Sequence, residues 1–137
     1  MSVTYLSMAI RQLVRARAGL RCEYCHLAEG DAFLPHEPDH IVGEKHGGTS
    51  AADKLALSCF DCNRFKGSDV ASYDPESGAL VPLFNPRTQV WSEHFTTFGG
   101  EIIGSTPVGR ATARLLKFNL PVRVEVRTVL AEKQRRP

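Results

Sequence analysis

The cysteines constrain this chain more than any other feature. All four lie in two Cys-x-x-Cys pairs, Cys22–Cys25 and Cys59–Cys62, with thirty-three residues between the pairs. Each pair is spaced to occupy two corners of a tetrahedron, and Zn²⁺ prefers a closed four-sulfur shell of this kind in a structural role. Two disulfides or a redox pair are the other readings. Arg11 and Arg15 interrupt the first apolar stretch, so no secretory leader is expected. A cytoplasmic chain keeps its thiols reduced, which favours metal over disulfides. The zinc then acts as a staple. Thirty-three residues are more than a simple zinc ribbon needs, so a hairpin carrying a site is expected to fill the loop.

A length of 137 residues suits a single domain. Such a chain can bury about two-thirds of its unfolded surface. No apolar run approaches the ~20 residues needed to cross a bilayer. The net charge of +2 hides an asymmetry. Residues 1–21 carry four arginines and no acid, and residues 22–109 carry five basic and thirteen acidic residues. Residues 110–137 carry eight basic and two acidic residues. Basic ends around an acidic centre suit a polyanion held beside a metal site, although arginines on helices are often only solvated.

Read in order, the chain alternates helix and strand patterns. Residues 3–18 have helical spacing through Leu6, Ile10, Leu13 and Val14, and Gly19 is placed to end the helix. Phe33 and Leu34 are expected to open a strand that continues through Asp39-His40-Ile41-Val42, with His40 and Val42 on one face. Pro38 fits the start or edge of that strand. Residues 43–50 contain three glycines and read as a loop. Lys54–Ser58 is a short apolar strand delivering Cys59, and 63–70 reads as a helix. Residues 73–87 hold two turns around Leu80, Val81, Leu83 and Phe84. Gly99-Gly100 is a hairpin turn between 91–98 and 101–103. Thr106-Pro107 starts a helix to about Lys117. Pro121 opens a last helix with Val122, Val126, Val129 and Leu130 inward, and 133–137 reads as a frayed tail.

The chemistry is concentrated between the cysteine pairs. Asp39 is a hard oxygen ligand for Mg²⁺ or a similar cation, and His40 beside it can take a proton from water near neutral pH. Asn63 can add a neutral oxygen. Adjacent residues on a regular strand point to opposite faces, so Asp39 and His40 can share one site only if the strand bends there.

In these residues the chain resembles the HNH endonucleases, in the bacterial type with two Cys-x-x-Cys pairs. The resemblance rests on Cys22-x-x-Cys25, Asp39-His40-Ile41, Gly47-Gly48, Leu55-Ala56-Leu57 and Cys59-x-x-Cys62-Asn63-Arg64-x-Lys66-Gly67. It continues in Pro82–Arg87, Trp91–Phe95 and Gly109–Thr112. It implies an α+β fold with a ββα-metal core, an N-terminal helix, and a C-terminal hairpin plus helices. One HNH endonuclease domain over 1–137 is implied, with its core at about 15–70 and an extension at about 71–132. Carried over residue by residue, His40 is the general base. Asp39 and Asn63 hold a catalytic divalent metal, Mg²⁺ or another, and Cys22, Cys25, Cys59 and Cys62 hold Zn²⁺. The implied substrate is DNA. The family usually places Asn where this chain has Lys54. That Asn helps hold the loop bearing the base, and the adjacent Asp53 is suited to compensate.

Arg64, Lys66 and His46 are candidate phosphate contacts. His36 reads as a surface histidine, His26 as no part of a Cys-His pair, and Trp91, His94 and Phe95 as core. Two further classes stay open: a zinc-stabilised nucleic-acid-binding module without catalysis, and a protein-interaction zinc domain.

Overall fold

The computed structural model describes residues 5–135. These form four α-helices and three two-stranded antiparallel sheets, arranged in two compact units. The first unit runs to Val70 and also takes in Asn85–Gln89. The second holds Ala71–Phe84 and everything from Val90 onward. This is the α+β architecture that the sequence implied.

In the first unit, α1 spans Met8–Ala18. The expected start at residue 3 lies outside the described residues. Ser7 sets the start by accepting a hydrogen bond from the Ile10 N–H on its side chain, 3.2 Å away. Gly19, left-handed at φ 61°, closes the helix. Leu6 and Val14 pack with Leu55 and Leu57 as a small buried core, with Ile10 and Ala18 against it. Leu13, read as part of the apolar face, is exposed.

Strand β1 is Glu37–His40 and pairs with β2, Leu55–Ser58. It does not begin at Phe33 and Leu34, both of which are exposed, and it stops before Val42. Pro38 sits opposite Leu57 within the ladder. It is tolerated there because a two-stranded sheet has only edge strands. Helix α2 is Phe60–Lys66, three residues earlier than the pattern suggested at its start. Its N-cap is Cys59, whose sulfur accepts the Cys62 N–H. The second cysteine pair is therefore the first turn of the helix.

In the second unit, β3 (Ala71–Tyr73) pairs with β4 (Leu80–Pro82), a ladder not expected from the two turns read there. Buried Asp74 caps the intervening turn through the Glu76 and Ser77 N–H groups and receives Arg110 Nε and Nη2 at 2.9 Å each. The Arg110 guanidinium holds the Asp74 carboxyl well below the usual carboxylate range. Strands β5 (Phe95–Phe98) and β6 (Glu101–Gly104) form the expected hairpin around Gly99-Gly100. Helix α3, Pro107–Leu115, has Thr106 as its cap, accepting the Gly109 N–H.

Helix α4, Pro121–Arg135, corrects the last reading. Val122, Val126 and Val129 are exposed, while Arg123 is buried. Arg123 Nη1 donates to the Leu116 and Lys117 carbonyls at 2.7 and 3.0 Å. Arg127 donates to the Gly100 and Phe118 carbonyls. Carbonyls in the chain just past α3, and that of Gly100 in the hairpin turn, need donors, and the two arginines supply them. Arg110, Arg123 and Arg127, three of the eight basic residues in 110–137, are thus engaged inside the fold. Lys133 and Gln134, read as frayed, remain helical, and residues 136 and 137 lie outside the described residues.

Candidate metal centre and active site

The four cysteine sulfurs lie within 4.8 Å of one another, all buried and none in a disulfide. Cys25 Sγ and Cys59 Sγ are 3.7 Å apart. Zn–S bonds of about 2.3 Å place tetrahedral sulfurs ~3.8 Å apart, so the cluster suits zinc. The two loops are built alike: the Cys25 N–H points at Cys22 Sγ and the Cys62 N–H at Cys59 Sγ, each at 3.4 Å. Burial pushes the Cys22 and Cys62 thiols well up. Four buried thiolates therefore need a cation to exist together, and a divalent metal supplies it. Glu23, inside the first pair, exchanges main-chain and side-chain hydrogen bonds with Leu57 at 2.8 Å each and pairs with Arg87. The cluster is tied to β2 in this way.

The staple also brings two side chains to Asp39. Tyr24, between the first two cysteines, donates its hydroxyl to Asp39 Oδ2 at 2.9 Å. Lys66, one turn beyond Cys62, places Nζ 3.1 Å from the same oxygen and donates to the His40 carbonyl at 3.0 Å. Lys66 is only 2 % exposed and Asp39 5 %. Expected to meet phosphate, Lys66 instead has its ammonium spent inside the protein. Burial pushes the Asp39 carboxyl upward, opposed by the Lys66 charge and the Tyr24 hydrogen bond. Its charge is thus incompletely compensated. Oδ1 takes no hydrogen bond from any described residue and is not among the buried unpartnered atoms, so it reaches solvent. A carboxylate oxygen so placed fits a hard cation.

Removing Lys66 leaves a buried carboxylate without its partner, which typically costs roughly 3–5 kcal/mol. Lys66→Met is expected to lower stability by that order in denaturant titrations near neutral pH. In the variant, burial acts on Asp39 unopposed by the ammonium and raises its folded-state pKa further. A raised pKa favours folding below the unfolded value and loses that advantage as pH rises through the folded one. The deficit should therefore shrink on acidification toward pH ~4, near the unfolded aspartate value. An equal deficit at all pH values would show that the ion pair is not its source.

His40 occupies the last rung of β1, opposite Leu55. Its Nε2 is 2.9 Å from Ser50 Oγ and 3.8 Å from Glu44 Oε1. The ladder is paired through Asp39 and His40, and the bend falls directly after it, at Ile41 and Val42. The two side chains have different partners, and both stand where β1 ends. Asn63, on α2, is half-buried, and its side chain makes no hydrogen bond among the described residues. Its backbone is fixed by the Cys59 carbonyl and the Gly67 N–H, both 2.9 Å bonds.

Sequence reasoning missed Tyr24, Ser50 and the structural role of Lys66. Only the position of Tyr24 between two ligands could have signalled any of them. His36, read as a surface residue, is 1 % exposed with Nε2 2.8 Å from the Leu27 carbonyl. His46 and Arg64 are exposed, and the Arg64 guanidinium lies over the Phe65 ring at 4.4 Å. The compensation expected of Asp53 is not made, since its side chain is exposed and forms no hydrogen bond among the described residues. The Lys54 carbonyl instead accepts the Ile41 N–H at 3.1 Å, a main-chain tie that any residue at 54 could make.

One protein-family model, described as HNH endonuclease, matches residues 22–69. No curated protein and no solved structure matches the chain.

Proposed function

We propose, from the premise that residues 22–69 belong to the HNH endonuclease family, that this protein hydrolyses phosphodiester bonds in DNA with the help of a divalent metal. The observation that carries the reading is a set of three unengaged groups. Asp39 Oδ1, the Asn63 amide and the second ring nitrogen of His40 all lack a hydrogen-bond partner among the described residues, and none is a sealed buried atom. Groups held ready in this way are what a metal and a water would engage.

In this reading His40 takes the proton from the attacking water. Asp39 and Asn63 would hold Mg²⁺ or another divalent cation, which when bound supplies charge stabilisation at the phosphate. Tyr24 and Lys66 keep Asp39 in place, and the zinc staple fixes both of them. Arg64 and His46 would contact the DNA backbone, since both are exposed on the same unit as the site. In this reading the HNH core is at about 15–70 and the extension at about 71–132. The first compact unit, whose main segment ends at Val70 and which also takes in Asn85–Gln89, supports that boundary. Four cysteines outside any disulfide support a reducing compartment, the cytoplasm. No helix is long and apolar enough to cross a membrane.

One observation favours a second reading. Lys66 already gives Asp39 a counter-cation, as a nucleic-acid-binding module that has lost catalysis would need. Supercoiled plasmid separates the two. The full chain is expected to nick or linearise it with Mg²⁺ or Mn²⁺ and to stop when a chelator is added. Plasmid retarded on a gel yet left intact with every divalent metal would favour the binding module.

A further inference from the structure

We infer that Ser50, with Glu44, holds the His40 ring in one tautomer and so decides which of its nitrogens accepts a proton. The inference deepens the assignment of His40 as general base and rests on it. Ser50 is ten residues from His40, at the end of the glycine loop. That loop is folded tightly back. The His46 and Gly48 N–H groups both donate to the Gly43 carbonyl, at 2.9 and 3.1 Å, and the Gly47 N–H donates to Glu44. A Cβ at Gly48 would lie 1.7 Å from the Val42 carbonyl oxygen, so only glycine allows this return. The hydroxyl of Ser50 then meets His40 Nε2 at 2.9 Å.

A hydroxyl alone does not choose a tautomer, because it can donate or accept. Glu44 breaks the tie. Its Oε1 is 3.8 Å from the same Nε2, and a carboxylate favours a proton on the nitrogen that faces it. Nε2–H therefore donates to Ser50 Oγ, and Nδ1 keeps its lone pair. Nδ1 has no hydrogen-bond partner among the described residues and is not a sealed atom, so its lone pair faces solvent. Other charged groups near His40 are the adjacent Asp39 and, from α2, Lys66, which reaches the His40 main chain. Neither bonds to the ring. Ser50 is thus a positioning residue, acting through His40.

The test is nitrogen NMR of the full chain above the histidine titration, with the His40 signals identified by their absence in His40→Ala. The expected spectrum shows His40 with its proton on Nε2. Ser50→Ala should turn that signal into a tautomer mixture and slow kcat for plasmid cleavage about tenfold, the scale of one lost hydrogen bond. Ser50→Thr, which restores a hydroxyl, should return both. A wild-type His40 protonated on Nδ1 would overturn the inference, whether or not any variant folds. So would a Ser50→Ala protein with unchanged tautomer. Failure of the underlying assignment looks different: the tautomer would be as stated, but His40→Ala would cut DNA at the wild-type rate.

Discussion

Cys59→Ser is expected to unfold the unit that carries the site while leaving the second unit largely intact. Structural zinc in small domains supplies ~10 kcal/mol or more of folding free energy. Among the described residues the first unit's buried apolar cluster is Leu6, Val14, Leu55 and Leu57, with Tyr24, Ile41 and Ala56 buried beside the zinc-binding and strand segments. A core that small rarely contributes more than ~3–5 kcal/mol. Cys59 also caps α2 with its sulfur, and so sets where Asn63 and Lys66 stand. Serine can still cap the helix, but it offers a shorter, harder donor that breaks the four-sulfur shell. The second unit has its own buried set, including Phe84, Phe95, Ile102, Leu116 and Phe118. The single tryptophan, Trp91, belongs to that unit and stacks on Phe95 at 5.0 Å between centroids. The expected result is lost zinc and a partial loss of far-ultraviolet circular dichroism, with Trp91 emission near its native wavelength. A folded and active Cys59→Ser protein containing no zinc would remove the staple from the account.

The readable parts of this chain were those where one residue type does one physical job. Four cysteines at tetrahedral spacing gathered as expected. Gly19 ended α1, Thr106 capped α3, and Gly99-Gly100 turned the hairpin, each through local backbone chemistry. Errors fell where tertiary packing decides. The valines of α4 have a helical period, yet they face outward because Arg123 and Arg127 are needed at the end of α3. A periodic pattern cannot announce that an arginine will be buried by carbonyls just past another helix.

The same limit governed the site. Asp39, His40 and Asn63 were visible as residue types, but what holds them was not. Lys66 looked like a surface cation because lysine usually is one, and only the fold shows its ammonium against Asp39. Ser50 carries no signal in a run of Gly, Thr, Ser and Ala. Its importance comes from a loop closure that needs Gly48 against the Val42 carbonyl. Lys54 drew attention as a departure from pattern. The Ile41 N–H bonds to its carbonyl, so the loop is tied at this position by an atom every residue possesses.

His40→Ala should reduce DNA cleavage by at least ~10²-fold, the low end of general-base effects, which corresponds to ~2.7 kcal/mol on the barrier. The fold should survive. The ring contributes one hydrogen bond to Ser50, and β1 stays paired through its main chain. Zinc content should not change, since His40 is no part of the sulfur cluster. Asn63→Ala is the informative companion. It should also fold and keep zinc, because its α2 bonds are main-chain ones. Its defect should instead appear as a higher divalent-metal requirement, partly recovered at high Mg²⁺ or Mn²⁺. His40→Ala should show no such recovery, because metal cannot replace a proton acceptor. Time courses of supercoiled plasmid loss across a metal titration measure both. Wild-type rates for His40→Ala would end its role as base, and full recovery of that variant by metal alone would place His40 among the ligands instead.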